Sequence, residues 1–245
     1  MGCDIRQEVW EKLRLIAKPD SRFHLDFGEF IPDFEGSDLA VARLVEMPLY
    51  QSSRFIFITP DNCLEKLRAQ ALRDGKTIIV SSYGIRRGIV KLGPEDVAKG
   101  SEEYASWLDG MERFGKFVSL ADIQQLGPLD FLITGGSAIN REGVRLGKGH
   151  GFFDLEWAML FEIGVANEST PILALVHDCQ VVEKALEPSE FDTVCDLIIT
   201  PSRVIEVEKP NKPTIGIMWE RLEAGMIENI PPLQELKRMK GGKSE

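Results

Sequence analysis

The ten residues Arg145-Leu146-Gly147-Lys148-Gly149-His150-Gly151-Phe152-Phe153-Asp154 hold the densest chemistry in the chain. Gly147, Gly149 and Gly151 stand at alternate positions, so the backbone between them can take positive φ and approach a ligand closely. The segment runs into a helix read from Asp154 to Ile163, whose unpaired N–H groups and dipole favour an anion. Arg145 and Lys148 add positive charge to the same loop. This construction cradles phosphate, but its Gly-x-Gly-x-Gly spacing is not the dinucleotide fingerprint G-x-G-x-x-G. A P-loop also fails, because Gly143 and Gly147 enclose three residues where that motif has four, and Gly149 follows Lys148 where it has Ser or Thr. The competing reading is a tight connection whose glycines turn the chain before a helix capped by Asp154. The flanking cations favour phosphate. His150 lies inside the loop, within reach of phosphate or simply solvated.

A second polar group, His177-Asp178-Cys179-Gln180, follows the apolar run Ile172 to Val176. Ligands in open α/β sheets bind beyond the C-terminal ends of strands. His177 is thus placed to move a proton or orient phosphate, with Asp178 fixing its tautomer. Equally, both side chains could satisfy loop backbone groups. Arg86 and Arg87 form a basic spot or a solvated turn, Trp107 a stacking or packing residue, and Trp157 reads as packing.

These residues need a scaffold, and hydrophobic period supplies one. Ile5 to Ala17 repeats Val9, Leu13 and Ile16 at helical spacing. Asp20 to Pro48 mixes Phe, Pro, Gly and Asp without a period until the weakly helical Asp38 to Glu46, and is read as a surface wrap. Phe55–Thr59, Thr77–Val80, Phe131–Thr134, Ile172–Val176, Leu197–Ile199 and Ile215–Met218 are short apolar runs read as strands. Helices are expected at Cys63–Arg73, Leu120–Gln125, Asp154–Ile163 and Trp219–Ala224. Continuously apolar strands are buried on both faces, which gives an α/β fold with a mostly parallel sheet flanked by helices. One domain over 1–245 is expected, with residues 1–50 as N-terminal helix and wrap and 237–245 as a frayed tail.

Composition sets outer limits. The formal charge of -10, from 39 acidic and 29 basic side chains, argues against nucleic-acid or anionic-membrane partners, so any phosphate site must be local. Cys3, Cys63, Cys179 and Cys195 lack the close pairing of a zinc or redox motif and are expected to be reduced and mostly buried. Charged residues within the first dozen positions exclude a signal peptide, and no stretch of some 18 apolar residues occurs. A cytoplasmic protein, monomer or homodimer, is expected.

The segment Arg145 to Asp154 resembles the R-x-G-x-G-x-G-aromatic-aromatic-Asp signature of the 5-formyltetrahydrofolate cyclo-ligase family. The strand from Asp130 to Thr134 leading into Gly135-Gly136, the segment Val176 to Val181, and Cys195 to Pro201 extend the resemblance over roughly residues 130–207. It implies a fold like that of sugar-phosphate isomerases and CoA transferases. It also implies an ATP- and Mg2+-dependent reaction, in which the formyl oxygen of 5-formyltetrahydrofolate is phosphorylated and N10 closes the ring to 5,10-methenyltetrahydrofolate. On that resemblance Arg6, Arg145, Gly147, Lys148, Gly149, His150, Gly151, Phe152 and Asp154 hold the nucleotide. Asp154 takes the metal, and Arg145, Asp154 and His177 form the catalytic set.

The chain departs from the family pattern mainly on the folate side. Arg6 matches the arginine of an N-terminal Lys/Arg pair, but the lysine's place falls around Gly2. Asp61 is only near the position of the family's folate-binding acid, Phe114 to Leu120 replaces a Trp-x-Ile-Pro-x-Pro loop, and Phe152-Phe153 replaces Tyr-Tyr. His-Asp-Cys-Gln-Val-Val and an acidic residue after the glycine loop are similar to the branch of methenyltetrahydrofolate synthetase domain-containing proteins. Three expectations follow: a cyclo-ligase, a nucleotide- or folate-binding protein without turnover, or a sugar-phosphate or CoA-ester enzyme of related fold.

Overall fold

The computed structural model describes residues 2–208 and 210–241, with side chains from Ile5 onward. Its strands are Phe55–Ile58 (β1), Thr77–Ser81 (β2), Ile89–Leu92 (β3), Lys116–Val118 (β4), Phe131–Thr134 (β5), Ala138–Asn140 (β6), Arg145–Leu146 (β7), Ile172–Leu175 (β8), Val181–Val182 (β9), Leu197–Ile199 (β10) and Val204–Glu206 (β11). Its helices are Gly2–Leu13 (α1), Ser37–Glu46 (α2), Pro48–Ser52 (α3), Glu65–Arg73 (α4), Glu102–Ser106 (α5), Leu108–Phe114 (α6), Leu120–Leu126 (α7), Phe152–Glu162 (α8), Met226–Asn229 (α9) and Pro231–Gly241 (α10).

Eight strands form one sheet in the order β11-β10-β8-β5-β1-β2-β3-β4. The five central strands, β10, β8, β5, β1 and β2, run parallel, and β11, β3 and β4 pair antiparallel at the edges. Alternation along β1 divides the core. Ile56 and Ile58 join Phe34, Leu44, Leu67 and Met111 on one face, while Phe57 joins Ile123, Trp157, Leu160 and Leu236 on the other. The wrap and α2 to α6 thus cover one face, and α7, α8 and α10 the other. A second, three-stranded sheet of β7, β6 and β9 sits beside the main one.

The expected parallel α/β sheet is present, with four corrections to its elements. The first helix spans Gly2–Leu13 rather than reaching Ala17, because the next residues pair with the wrap: Lys18 N–H donates to the Asp33 carbonyl at 2.8 Å and Glu35 N–H to that of Ile16 at 2.9 Å. Ile215–Met218 is no strand. The Ile217 N–H donates instead to Glu162 Oε2 at 3.0 Å, so a side chain replaces the ladder partner. Trp219–Ala224 shrinks to a 3-10 turn at Trp219–Arg221. Residues 237–241, expected to fray, continue α10, which is anchored by Leu233 and Leu236; the rest of that tail lies outside the described residues. Cys63 and Cys195 are buried and free and Cys179 half-buried and free, whereas the Cys3 side chain is outside the described residues.

Candidate active site

A cleft of about 260 Å³ opens at the C-terminal ends of β1, β2 and β5, the position at which parallel sheets bind ligands. The side of the cleft that carries the glycine loop is prepared by a short hairpin. β6 and β7 pair Ala138 with Leu146 and Ile139 with Arg145, and Asn140 Oδ1 accepts the Val144 N–H at 2.9 Å across the turn. This hairpin delivers Arg145 to the cleft wall. From Gly147 the chain runs free of the sheet, with Gly149 at φ 116° and Gly151 at φ 65°, the latter as N-cap of α8. No atom lies within 4 Å of where a Cβ would stand on either glycine, so this side of the loop is open.

Three cations converge there. Arg6, from α1, donates through Nε to the Gly147 carbonyl at 2.7 Å. Lys148 Nζ donates to the Glu29 carbonyl at 2.9 Å and lies 5.1 Å from the Tyr83 ring centre. The Arg145 side chain is only 6% exposed; its guanidinium covers the Phe153 ring at 4.9 Å and its Nη2 lies 3.6 Å from Asp154 Oδ1. Arg145 Nε is buried with no hydrogen-bond partner among the described residues. A buried donor left unpaired costs free energy.

Asp154 also holds the far rim. Its Oδ1 accepts the Thr193 N–H at 2.9 Å and hydroxyl at 2.7 Å, which ties α8 to the connection before β10 and brings Asp192 to the cleft. His150 and Phe152 both line the cleft, their rings 5.5 Å apart.

The floor is acidic. Asp61 Oδ2 accepts the Thr59 hydroxyl at 2.6 Å and the Gly135 N–H at 2.8 Å, bridging the turns after β1 and β5. Glu156, 3% exposed, accepts the Ser81 hydroxyl. Burial pushes its carboxyl up to about 8, partly opposed by the Ser81 hydrogen bond and reinforced by Asp61. Glu156 therefore keeps its proton at neutral pH while the unfolded chain releases it near 4.5. Stability contributed by this proton is therefore lost progressively as pH rises from that value towards about 8. Thermal melts of Glu156→Gln, which lacks this proton, are expected to exceed wild type by a margin that grows between pH 4.5 and pH 8 and is absent at the acid end.

The wrap supplies the fourth wall through Arg22, Phe30 and Ile31. Asp20 fixes it: burial disfavours the charge, but hydrogen bonds from Arg22 and from Asn62, at 2.9 Å, outweigh burial and bring the carboxyl to about 2.

His177 is placed elsewhere. It is not among the cleft residues; its Nδ1 accepts the Cys179 N–H at 3.1 Å, and its ring meets Phe34 edge-on at 5.5 Å. Burial lowers its pKa. Asp178 accepts the Thr200 hydroxyl at 2.7 Å and the Ser202 hydroxyl at 2.5 Å, and Gln180 donates to the Gly136 carbonyl at 2.6 Å. The segment thus braces the Gly135-Gly136 turn rather than facing a ligand, which corrects the catalytic expectation for His177. Arg87 pairs with Glu112, and Trp157 is buried with Nε1 donating to the Pro213 carbonyl at 3.1 Å. Sequence reasoning passes over Ser81, Tyr83, Glu156 and Asp192. For Glu156 one signal exists, a lone acid inside the apolar run Leu155 to Phe161.

Comparison with known proteins places the chain in a family. The family model described as the 5-formyltetrahydrofolate cyclo-ligase family matches residues 3–201. The human methenyltetrahydrofolate synthase domain-containing protein is 31% identical over 240 residues, covering 96% of this chain and 61% of that protein; the chain thus spans about three fifths of the length of such relatives. The Escherichia coli K12 5-formyltetrahydrofolate cyclo-ligase is 36% identical over 92 residues, 36% of this chain and 46% of that one. The solved structure of Aquifex aeolicus 5,10-methenyltetrahydrofolate synthetase superposes with a TM-score of 0.53 at 17% identity, over 90% of this chain and 99% of that one, and shares the fold. With that family model matched over residues 3–201, this chain belongs to the 5-formyltetrahydrofolate cyclo-ligase family.

Proposed function

We propose that the chain converts 5-formyltetrahydrofolate to 5,10-methenyltetrahydrofolate at the expense of ATP, with Mg2+. The observation that carries this reading is the buried, unpartnered Arg145 Nε beside a glycine loop whose open side faces the cleft. Arg145, Lys148 and the α8 N-terminus hold the ATP phosphates, while Arg6 fixes the loop through Gly147. The formyl oxygen attacks the γ-phosphorus and ADP leaves; N10 then attacks the formyl carbon and gives up its proton to solvent, and phosphate leaves as the ring closes. Arg145 faces the charge that develops on the transferring phosphoryl group.

The metal fits as a shared ligand rather than a caged one. Among the described residues no group of three or more His, Cys, Asp or Glu is placed to hold a metal. Mg2+ is commonly held by one or two carboxylates together with substrate phosphates. Asp154, whose Oδ1 is committed to Thr193, and Asp192 would supply them. When bound, Mg2+ neutralises phosphate charge.

Absorbance of the methenyl product, followed with 5-formyltetrahydrofolate and Mg-ATP and with ATP omitted as control, tests the reading. Growth of the band only with ATP is expected. A flat trace from protein that still binds ATP by calorimetry would sink the ligase and leave a nucleotide-binding relative.

A further inference from the structure

Behind the cleft, on the face that α4 turns to the core with Leu67, Ala71 and Leu72, stands an arginine. Arg68 is 0% exposed, and each hydrogen bond it makes among the described residues goes to a backbone carbonyl. Nη1 donates to Thr59 at 2.6 Å and to Asp61 at 3.0 Å, and Nε donates to Ser106, the last residue of α5, at 2.8 Å. Nη2 is buried with no partner among the described residues. Taking a guanidinium out of water to meet neutral acceptors is costly, and an apolar side chain would pack this face of α4 as well. What the arginine adds is a grip on three carbonyls.

Two of those carbonyls belong to the turn after β1, which walls the cleft. Asp61 fastens the same turn from the other side, because its Oδ2 accepts the Thr59 hydroxyl at 2.6 Å and the Gly135 N–H at 2.8 Å. The turn is therefore held backward by Arg68 and forward by the turn after β5. Gly136 lies against the stem of Arg145, where an added Cβ would stand 3.1 Å from Cγ, and Ser137 N–H donates to the Leu146 carbonyl at 2.7 Å. Short contacts thus run without a break from α4 to the strand that carries Arg145.

We propose that Arg68 is a positioning residue: by gripping the Thr59 and Asp61 carbonyls it fixes, through Asp61 and Gly135, the spacing between the cleft wall and Arg145. Arg68 lies outside the lining of the cleft and acts only through this path. The proposal rests on the ligase reading, in which the formyl oxygen must meet the γ-phosphorus at a set distance. A displacement of about 1 Å far from the chemistry can cost roughly 100-fold in rate.

The test compares wild type with Arg68→Lys, which keeps the charge but not the fork, and with Arg68→Met, which keeps neither. With 5-formyltetrahydrofolate and Mg-ATP, kcat of Arg68→Lys should fall ~10-fold or more, and that of Arg68→Met further, while ADP affinity by calorimetry stays that of wild type. Amide exchange by NMR supplies a readout that needs no ligand. In Arg68→Lys the Gly135 N–H should exchange faster, whereas the Leu132 N–H, which donates to the Pro171 carbonyl at 2.9 Å, keeps its protection. A merely structural Arg68 would speed exchange at both positions alike and leave kcat per folded molecule unchanged; either result overturns the proposal. If Arg68→Met does not fold, Arg68→Lys alone decides. If wild type shows no turnover, the ligase reading fails separately, and Gly135 exchange still decides whether Arg68 sets the cleft wall: selective loss of protection upholds it, and retained protection overturns it.

Discussion

Replacing Arg145 with alanine is expected to weaken ATP binding by about 1.5–3 kcal/mol, one to two powers of ten in Kd. On the proposed function Arg145 is held ready, since β7 fixes its backbone, the Phe153 ring supports the guanidinium, and no described residue takes Nε. Turnover should fall further than binding. An arginine that meets charge developing on a transferring phosphoryl group contributes roughly a thousandfold or more in other enzymes. Lysine at this position would restore the charge but neither the planar fork nor the ring contact, so Arg145→Lys should recover only a minor part. Calorimetry with ADP and initial rates with Mg-ATP separate the two effects. Unchanged nucleotide affinity in Arg145→Ala, in protein that melts normally, would remove the loop from the nucleotide site.

Why the loop is legible in sequence and the floor is not follows from chain distance. Arg145, Lys148 and the three glycines lie within seven positions of one another, and their joint chemistry needs no fold to be seen. Glu156 meets Ser81 across 75 positions, and Asp61 meets Gly135 across 74, contacts that only the parallel crossovers create. The same holds for the wrap. Its Phe, Asp and Gly residues have no period because they serve as local ties, such as Asp20 to Asn62 and the Glu29 carbonyl to Lys148. His177 misleads in the opposite direction: it does follow an apolar strand, but its Nδ1 is spent on a neighbouring N–H.

The strands divide in a similar way. Phe131–Thr134 and Leu197–Ile199 have the bounds that their apolar runs predict, since both are continuously apolar and mostly buried. Lys91 interrupts β3, and β4, at the edge, puts Lys116 and Phe117 into solvent, so neither strand gives a continuous run. β6 and β7, with three and two residues, are shorter than any period can register. Yet this small hairpin carries Arg145, so an element on which the proposed nucleotide site depends is hardly visible in the sequence.

That hairpin is also where a single methyl group should do most damage. Gly143 turns the chain between β6 and β7 at φ 79°, and a Cβ there would stand 2.4 Å from the Cys195 carbonyl oxygen and 3.1 Å from Val194 Cγ1. Neither neighbour can yield cheaply. The Cys195 N–H donates to the Gly143 carbonyl at 2.9 Å, and Val144 bridges Val194, so the turn is docked against the chain entering β10. Left-handed strain adds about 1 kcal/mol and the forced backbone shift about 1–3 more, so Gly143→Ala should lose roughly 2–4 kcal/mol of stability. For a chain of this size each kcal/mol lowers Tm by about 2–4 °C. Gly164→Ala isolates the first contribution, because Gly164 has φ 78° but no atom within 4 Å of its Cβ position, and it should lose only about 1 kcal/mol. Equal losses in the two variants would show that the docking of the turn carries no weight. The expected inequality, together with weakened ADP binding in folded Gly143→Ala alone, would show that the nucleotide loop is aimed by the contact between this turn and β10, two residues before Arg145.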